Sequence, residues 1–205
     1  MPGIAGVDEA GRGSLAGPVV AAAVVLPPRC VIAGIRDSKL LSAHRRENLA
    51  EAIHEQAIAW SIGTADPREI DELNILQATL LAMHRALLEL AVSPGHVRID
   101  GNRSPQFGDD CGWTTETVIG GDRICPLIGA ASILAKVHRD ELMVNLHGKY
   151  PEYGFNRHKG YPTAGHREAL KRYGPCVQHR MSFRPVRAAG DAVVDSGLNN
   201  SVSEK

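Results

Sequence analysis

The chain has 205 residues, enough for one domain with a sizeable hydrophobic core. Hydrophobic residues make up 43% and charged residues 22%, which excludes a wholly disordered chain. Basic and acidic side chains balance at 23 each, so total charge points to no partner, and only the stretch from Lys136 to Arg187, rich in Lys and Arg, carries a positive excess that a phosphate backbone would favour.

In chain order, Ile4 to Asp8 and Pro18 to Leu26 read as two adjacent strands, antiparallel across the glycine-rich turn from Gly11 to Gly17. A loop carrying Asp37-Ser38-Lys39 leads to a helical pattern from Ser42 to Gln56, and a short strand covers Ala57 to Thr64. Asp66-Pro67-Arg68-Glu69 combines an N-cap aspartate, a first-turn proline and a capping-box glutamate, and predicts one helix running on to about Ala91. Val97 to Asp100 is a short strand stopped at Gly101-Asn102, and Thr115 to Ile119 is another, stopped by Gly120-Gly121.

Pro126 to Leu146 predicts a long helix, with Asp122 just ahead of it. An irregular basic and aromatic segment from Tyr153 to Tyr161 follows, then a short helix from Thr163 to Tyr173, ended by Gly174-Pro175. Order is expected to end near Ala188. The pattern predicts an α/β or mixed-sheet arrangement in one domain: a catalytic core over residues 1–145, a basic extension over 146–187 and a disordered tail over 188–205. Cys30, Cys111, Cys125 and Cys176 form neither a C-x-x-C pair nor a zinc-finger spacing. No stretch reads as a signal peptide or a membrane span, so the expected compartment is the cytoplasm.

Asp8 and Glu9 end the first strand, Asp100 ends the fourth at a glycine turn, and Asp122 lies between Gly120-Gly121 and the long helix. Carboxylates at strand ends and helix starts are what hydrolysis of a phosphodiester by divalent metal ions requires, because hard cations take oxygen ligands while leaving room for water and phosphate. Taken singly, each acid also has a plain structural reading. Asp122 fits a helix N-cap, Asp100 an Asx-turn, and Asp8-Glu9 a solvated turn. Neighbouring strand residues face opposite ways, so Asp8 and Glu9 share a site only if the strand bends or ends there.

The run Gly6-Val7-Asp8-Glu9-Ala10-Gly11-Arg12-Gly13 with Leu15-Ala16-Gly17-Pro18 closely resembles the opening signature of type 2 ribonucleases H. Asp37-Ser38-Lys39, Ile99-Asp100-Gly101-Asn102, Gly121-Asp122, Ala130 to Asp140, Tyr153 to Thr163 and His179-Arg180 with Ser182-Phe183 follow in that family's order. The resemblance, closest to bacterial ribonuclease HII, spans residues 4–187.

It implies an RNase H-like mixed five-stranded sheet flanked by helices, with a C-terminal helical extension. It also implies that Asp8, Glu9, Asp100 and Asp122 hold two divalent cations, Mg2+ or Mn2+, and that the substrate is an RNA–DNA hybrid or duplex DNA containing ribonucleotides, cut to leave 3′-hydroxyl and 5′-phosphate ends. Gly11, Arg12 and Gly13 are implied to meet the ribose 2′-hydroxyl, and Tyr161 to stack on the following deoxyribose. Lys39, Lys136 and Lys159, with Arg157, are expected at phosphates, and His158, His166 and His179 at the surface or beside phosphate.

Two departures from the family stand out: Ser14 where proline is common, expected to loosen the turn, and Gly120 where lysine is common, expected to remove a positive charge beside the metal site. A monomer is expected. The alternatives are a module that binds hybrids without cutting, or another nuclease on the same fold. The shortage of aromatic platforms disfavours the first, and the Gly-Arg-Gly loop with Tyr161 disfavours the second.

Overall fold

The computed structural model describes residues 3–35, 41–108 and 111–191. Strand β1 (Ile4–Ala10) pairs antiparallel with β2 (Val19–Val25), the antiparallel pair expected across the glycine-rich turn. All seven residues of β2, Val-Val-Ala-Ala-Ala-Val-Val, are buried, because this strand is covered on both faces. Helix α1 (Ala43–Gln56) follows, its start capped by the Ser42 hydroxyl, and β3 (Ala59–Ala65) then pairs antiparallel with β2 at the sheet edge.

The Asp66 capping box forms as its residues predict, with Asp66 Oδ1 accepting from the Glu69 N–H at 2.9 Å and the Asp66 N–H donating to Glu69 Oε2 at 3.0 Å. The single long helix expected beyond it is two: α2 (Pro67–Leu73) and α3 (Ile75–Leu88). Asn74 separates them at φ 71°, and its Oδ1 caps the second helix by accepting from the N–H groups of Leu76 and Gln77 at 3.0 and 3.2 Å. The apolar periodicity continues through the break, which is why the helical pattern conceals it.

Strand β4 (His96–Asp100) lies parallel to β1, and β5 (Thr114–Val118) lies parallel to β4, giving the sheet order β3-β2-β1-β4-β5. This is the mixed five-stranded sheet that the resemblance implies. A one-turn helix, α4 (Gly121–Ile124), precedes the long α5 (Pro126–Lys149). Helix α5 packs on one face of the sheet through Ala130, Ala131 and Leu134 against Val20, Ala22 and Val24. On the other face α3 packs through Ala82, Met83 and Ala86 against Ala5, Val7, Val97 and Ile99. Gly6 lets α5 come close to the middle of β1, since a Cβ there would lie 2.2 Å from the Leu127 carbonyl carbon.

Beyond α5 come a 3-10 turn (Pro151–Tyr153), α6 (Phe155–His158), α7 (Ala164–Tyr173) and a last helix, α8, over residues 184–191. The expected core boundary at 145 falls inside α5, and the expected end of order at 188 falls inside α8, where Val186 and Ala189 are buried against Leu15 and Leu170. The extension is joined to the turn after β1. The Leu15 N–H donates to the Gly160 carbonyl at 2.8 Å, the Gly17 N–H to that of Gln178 at 2.8 Å, and the Arg180 N–H to that of Leu15 at 2.9 Å. Among the described residues no helix is long and apolar enough to cross a membrane.

Candidate active site

The sheet places the acids by register. Parallel pairing of β1 with β4 ends at Val7 opposite Ile99, while β1 continues to Ala10 along β2. The same register sets Asp8 level with Asp100, the last residue of β4, and only Glu9 and Ala10 run past its end. Strand β1, expected to bend or end at these residues, runs on to Ala10. Glu9 lies beyond the β4 pairing and interacts with Asp8, and the chain turns at Gly11, φ 97°.

Asp8 is buried, at 5% exposure, facing α5 and Ser132, and its Oδ1 accepts from the Glu9 N–H at 2.7 Å. Burial pushes its carboxyl well above the usual range, and the charges of Glu9 and Asp100 push in the same direction. Burial also raises Glu9, although Arg12, at 3.2 Å from Glu9 Oε1, offsets part of the effect. Asp100 Oδ1 accepts from the Gly121 N–H at 2.6 Å, which ties the end of β4 to the first turn of α4, where Asp122 is buried at 3% exposure.

Asp8, Glu9 and Asp100 are thus electrostatically coupled, and Asp122 adjoins Asp100 through Gly121. Among the described residues no group of three or more acid, histidine or cysteine side chains is arranged to hold a metal ion. The chemistry of Asp8, Glu9 and Asp100 fits divalent cations: they offer hard carboxylate oxygens, Arg12 is the cation on Glu9, and burial, then repulsion from Glu9 and Asp100, raises Asp8.

A cleft of about 280 Å³ opens at Glu9, the one of the four acids that lines it, and its wall includes Gly11, Arg46, Ser132, Lys136 and Tyr161. Lys136 also donates to Asp140 at 2.6 Å, and its Nζ lies 5.7 Å from the Tyr161 ring centroid. Arg12 and Gly13 are exposed on the loop. Lys159 lines a neighbouring groove with Arg46, and Arg157 is exposed. Lys39 lies outside the described residues, as do Asp37 and Ser38.

The residues that shape the loop were not singled out by sequence reasoning. Two arginines, Arg139 and Arg180, are fully buried behind it. Arg180 donates to the carbonyls of Gly11 at 2.7 Å, Arg12 at 2.9 Å and Gly17 at 3.0 and 2.9 Å, while Arg139 donates to Ala16 at 3.2 Å, Pro18 at 3.0 Å and Lys159 at 3.0 Å. With these carbonyls turned inward onto guanidinium groups, the rim of the loop is built from its exposed residues. Gly11 has no room for a side chain, since a Cβ would meet Arg139 Nε at 2.0 Å. Both arginines stand in the family-like motifs, and a cation on the alanine-rich face of α5 was the available signal.

Ser14 keeps the turn closed rather than loosening it, because its N–H donates to the Gly11 carbonyl at 3.3 Å, a bond that proline cannot make. Its buried hydroxyl finds no hydrogen-bond partner among the described residues. At Gly120 the Arg123 guanidinium passes 3.1 Å from where a Cβ would stand, so a positive charge remains near the position where the family carries lysine.

The three histidines of the extension are not at the surface as expected. His166 and His179 are buried, and His158 stacks on His166 with ring centroids 4.4 Å apart. Hydrogen bonds define their tautomers. The Cys176 N–H donates to His179 Nδ1 at 3.0 Å, so His179 carries its proton on Nε2 and donates it to His166 Nε2 at 3.0 Å. His166 then donates from Nδ1 to the Tyr161 carbonyl at 3.0 Å. The Gly160 N–H donates to His158 Nδ1 at 3.2 Å, and His158 Nε2 donates to the Tyr153 carbonyl at 2.7 Å.

Burial lowers His166 to about 4, with His158 adding to the effect, and lowers His179 to about 4, with His166 adding to it. Between the ordinary value of 6.5 and about 4 the unfolded chain binds more protons, so this contribution to stability is complete above 6.5 and is lost as pH falls through that window. The expected loss is on the order of 3 kcal/mol per histidine. Thermal unfolding combined with NMR titration of the imidazoles checks this. Titration of both rings near 6.5, with no fall in stability, contradicts it.

Fold and site together fit a class, nucleases with the ribonuclease H-like fold. A family model described as Ribonuclease HII matches residues 5–186. Ribonuclease HII of Polynucleobacter necessarius is 55% identical over 194 residues, covering 93% of this chain and 96% of that one. The crystal structure of ribonuclease H2 from Pyrococcus horikoshii is similar with a TM-score of 0.76 at 28% identity, covering 92% of this chain and 97% of that one. Ribonuclease HII of Archaeoglobus fulgidus, solved in complex with PCNA, matches with a TM-score of 0.75 at 29% identity over 89% and 95% of the two chains. The chain belongs to the ribonuclease HII family. It is an endonuclease that hydrolyses the RNA of RNA–DNA hybrids, and its family depends on divalent metal ions.

Proposed function

We propose that Asp8, Glu9, Asp100 and Asp122 hold two divalent cations, Mg2+ or Mn2+, and that the enzyme cuts beside ribonucleotides embedded in duplex DNA as well as in longer hybrids. When bound, such ions supply an activated water and charge stabilisation for the leaving 3′-oxygen. The observation that carries this reading is the electrostatic crowding of Asp8, Glu9 and Asp100, with Glu9 lining a cleft that it shares with Gly11 and Tyr161.

The chain's own residues then have separate tasks. The Gly11-Arg12-Gly13 loop brings backbone close to a sugar, so that its polar groups meet the 2′-hydroxyl that distinguishes RNA from DNA. The Tyr161 ring, 36% exposed, supports the neighbouring nucleotide. Lys136 and Lys159, with Lys39, neutralise phosphates and set register without reading base sequence, and the extension from residue 146 serves substrate binding. On this reading the enzyme works as a cytoplasmic monomer on nucleic acid, away from membranes.

Cleavage mapping tests it on duplexes carrying one, four or many ribonucleotides, in Mg2+ and in Mn2+. Scission at one bond beside the single ribonucleotide, leaving 3′-hydroxyl and 5′-phosphate ends, is the expected result. Cleavage of long hybrids only would contradict the assigned role of the loop.

A further inference from the structure

Tyr161 lines the cleft, yet its position is set from behind, by groups that no substrate touches. Its carbonyl accepts from the Thr163 N–H at 2.8 Å and from His166 Nδ1 at 3.0 Å. His166 stands in the first turn of α7, is 0% exposed and receives the proton of His179 Nε2 at 3.0 Å. His179 is 1% exposed and accepts the Cys176 N–H at 3.0 Å. Four groups therefore form one directed chain, from Cys176 through His179 and His166 to Tyr161.

Each ring has a single tautomer compatible with both of its neighbours, and no water can replace either ring at this burial. The residue after His179 is Arg180, whose guanidinium holds the carbonyls of Gly11, Arg12 and Gly17. One dipeptide therefore supports both walls of the cleft, His179 the aromatic one and Arg180 the loop.

We propose that His166 and His179 are positioning residues: their hydrogen-bonded chain fixes the Tyr161 ring at a set distance from the Gly11–Gly13 loop. The proposal rests on the reading that Tyr161 faces substrate. It assigns the histidines no part in the chemistry, since both lie behind the cleft and neither reaches the carboxylates. It separates a polar chain that merely fills the core from one whose last link orients a substrate-facing group.

A double-mutant cycle on a duplex with one ribonucleotide tests it. Loss of the stacking surface in Tyr161→Ala should lower kcat/KM by roughly tenfold or more. His166→Gln, which cannot present a donor at the Nδ1 position, should lower kcat/KM by about tenfold, mainly through KM, because a misplaced ring weakens binding before and during the reaction alike. His166→Asn, whose amide nitrogen replaces Nδ1, should stay within about threefold of the parent. In the Tyr161→Ala background, His166→Gln should cause no further loss.

Equal losses from His166→Gln with and without the tyrosine would overturn the proposal in favour of a purely structural role. So would full activity of His166→Gln beside an impaired Tyr161→Ala. An unimpaired Tyr161→Ala would instead overturn the reading of Tyr161 itself, and the proposal with it. One measurement needs no variant: 15N spectra of the parent's imidazoles should find His166 protonated on Nδ1 and His179 on Nε2, and the opposite tautomers would end the proposal.

Discussion

Asp8→Asn should remove cleavage on the order of a thousandfold, equivalent to about 4 kcal/mol of transition-state stabilisation, and should at the same time make the metal-free protein more stable. The two effects share one cause. Asp8 is 5% exposed, faces the charges of Glu9 and Asp100, and has its carboxyl raised by burial. An acid whose folded pKa is raised binds its proton more tightly folded than unfolded. Without metal, its ionised form therefore lowers stability at neutral pH, and that penalty lifts as pH falls through the raised value. Asparagine keeps an oxygen for the Glu9 N–H and carries no charge at any pH, so it removes the penalty.

A gain in the range usual for single stabilising substitutions, about 0.5–2 kcal/mol, is expected, with roughly 2–4 °C in Tm for each kcal/mol in a chain of this size. Added Mg2+ or Mn2+ should raise the Tm of the parent, by an amount equivalent to about 2.7 kcal/mol when the ion is at a hundred times its Kd, and should raise that of the variant far less. Differential scanning calorimetry with and without chelator, beside a cleavage assay, measures all of this. A variant that is inactive but also less stable without metal would mean that Asp8 supports the fold rather than the ions.

Arg180→Ala should damage the enzyme by a different route. The buried guanidinium donates to the carbonyls of Gly11, Arg12 and Gly17, and alanine removes all of these bonds, leaving the Gly11 carbonyl only the Ser14 N–H. Each orphaned carbonyl costs about 1–3 kcal/mol, so a loss of roughly 3–5 kcal/mol is expected, after partial relaxation, with a fall in Tm of about 6–20 °C. Arg180→Lys retains the charge, but one ammonium cannot span carbonyls that a planar fork reaches from several directions.

In that variant the loop should lose its orientation, and kcat/KM on a single-ribonucleotide duplex should fall about a hundredfold, as a misplacement of about 1 Å can cause. The metal-induced rise in Tm should survive, since Asp8, Glu9 and Asp100 stand on β1 and β4 rather than on the loop. Loss of the metal response together with activity would show that Arg180 supports the carboxylates instead.

Much of the architecture is legible in the sequence because local chemistry and tertiary need agree there. The β2 run of valine and alanine can only be a covered strand, and Asp66-Pro67 with Glu69 starts a helix wherever it stands. The four carboxylates are legible as strand-end and helix-start residues, and the ordered motifs raise that pattern to a family resemblance. What the sequence hides depends on contacts between distant residues. Asn74 ends one helix and caps the next without disturbing the apolar period, so the break leaves no trace in the pattern. Arg139, Arg180, His166 and His179 belong to residue types that normally lie in water, and their burial follows from the extension folding back onto the turn after β1. That Asp8 stands level with Asp100 follows from the pairing of β1 with β4, and register is a property of two strands rather than one.

The most direct measurement of the central claim is anomalous diffraction from crystals soaked in Mn2+. Two peaks are expected beside the cleft, held by carboxylate oxygens of Asp8, Glu9, Asp100 and Asp122. Manganese bound only elsewhere on the chain, at a concentration that supports full cleavage, would contradict the assignment of these four residues.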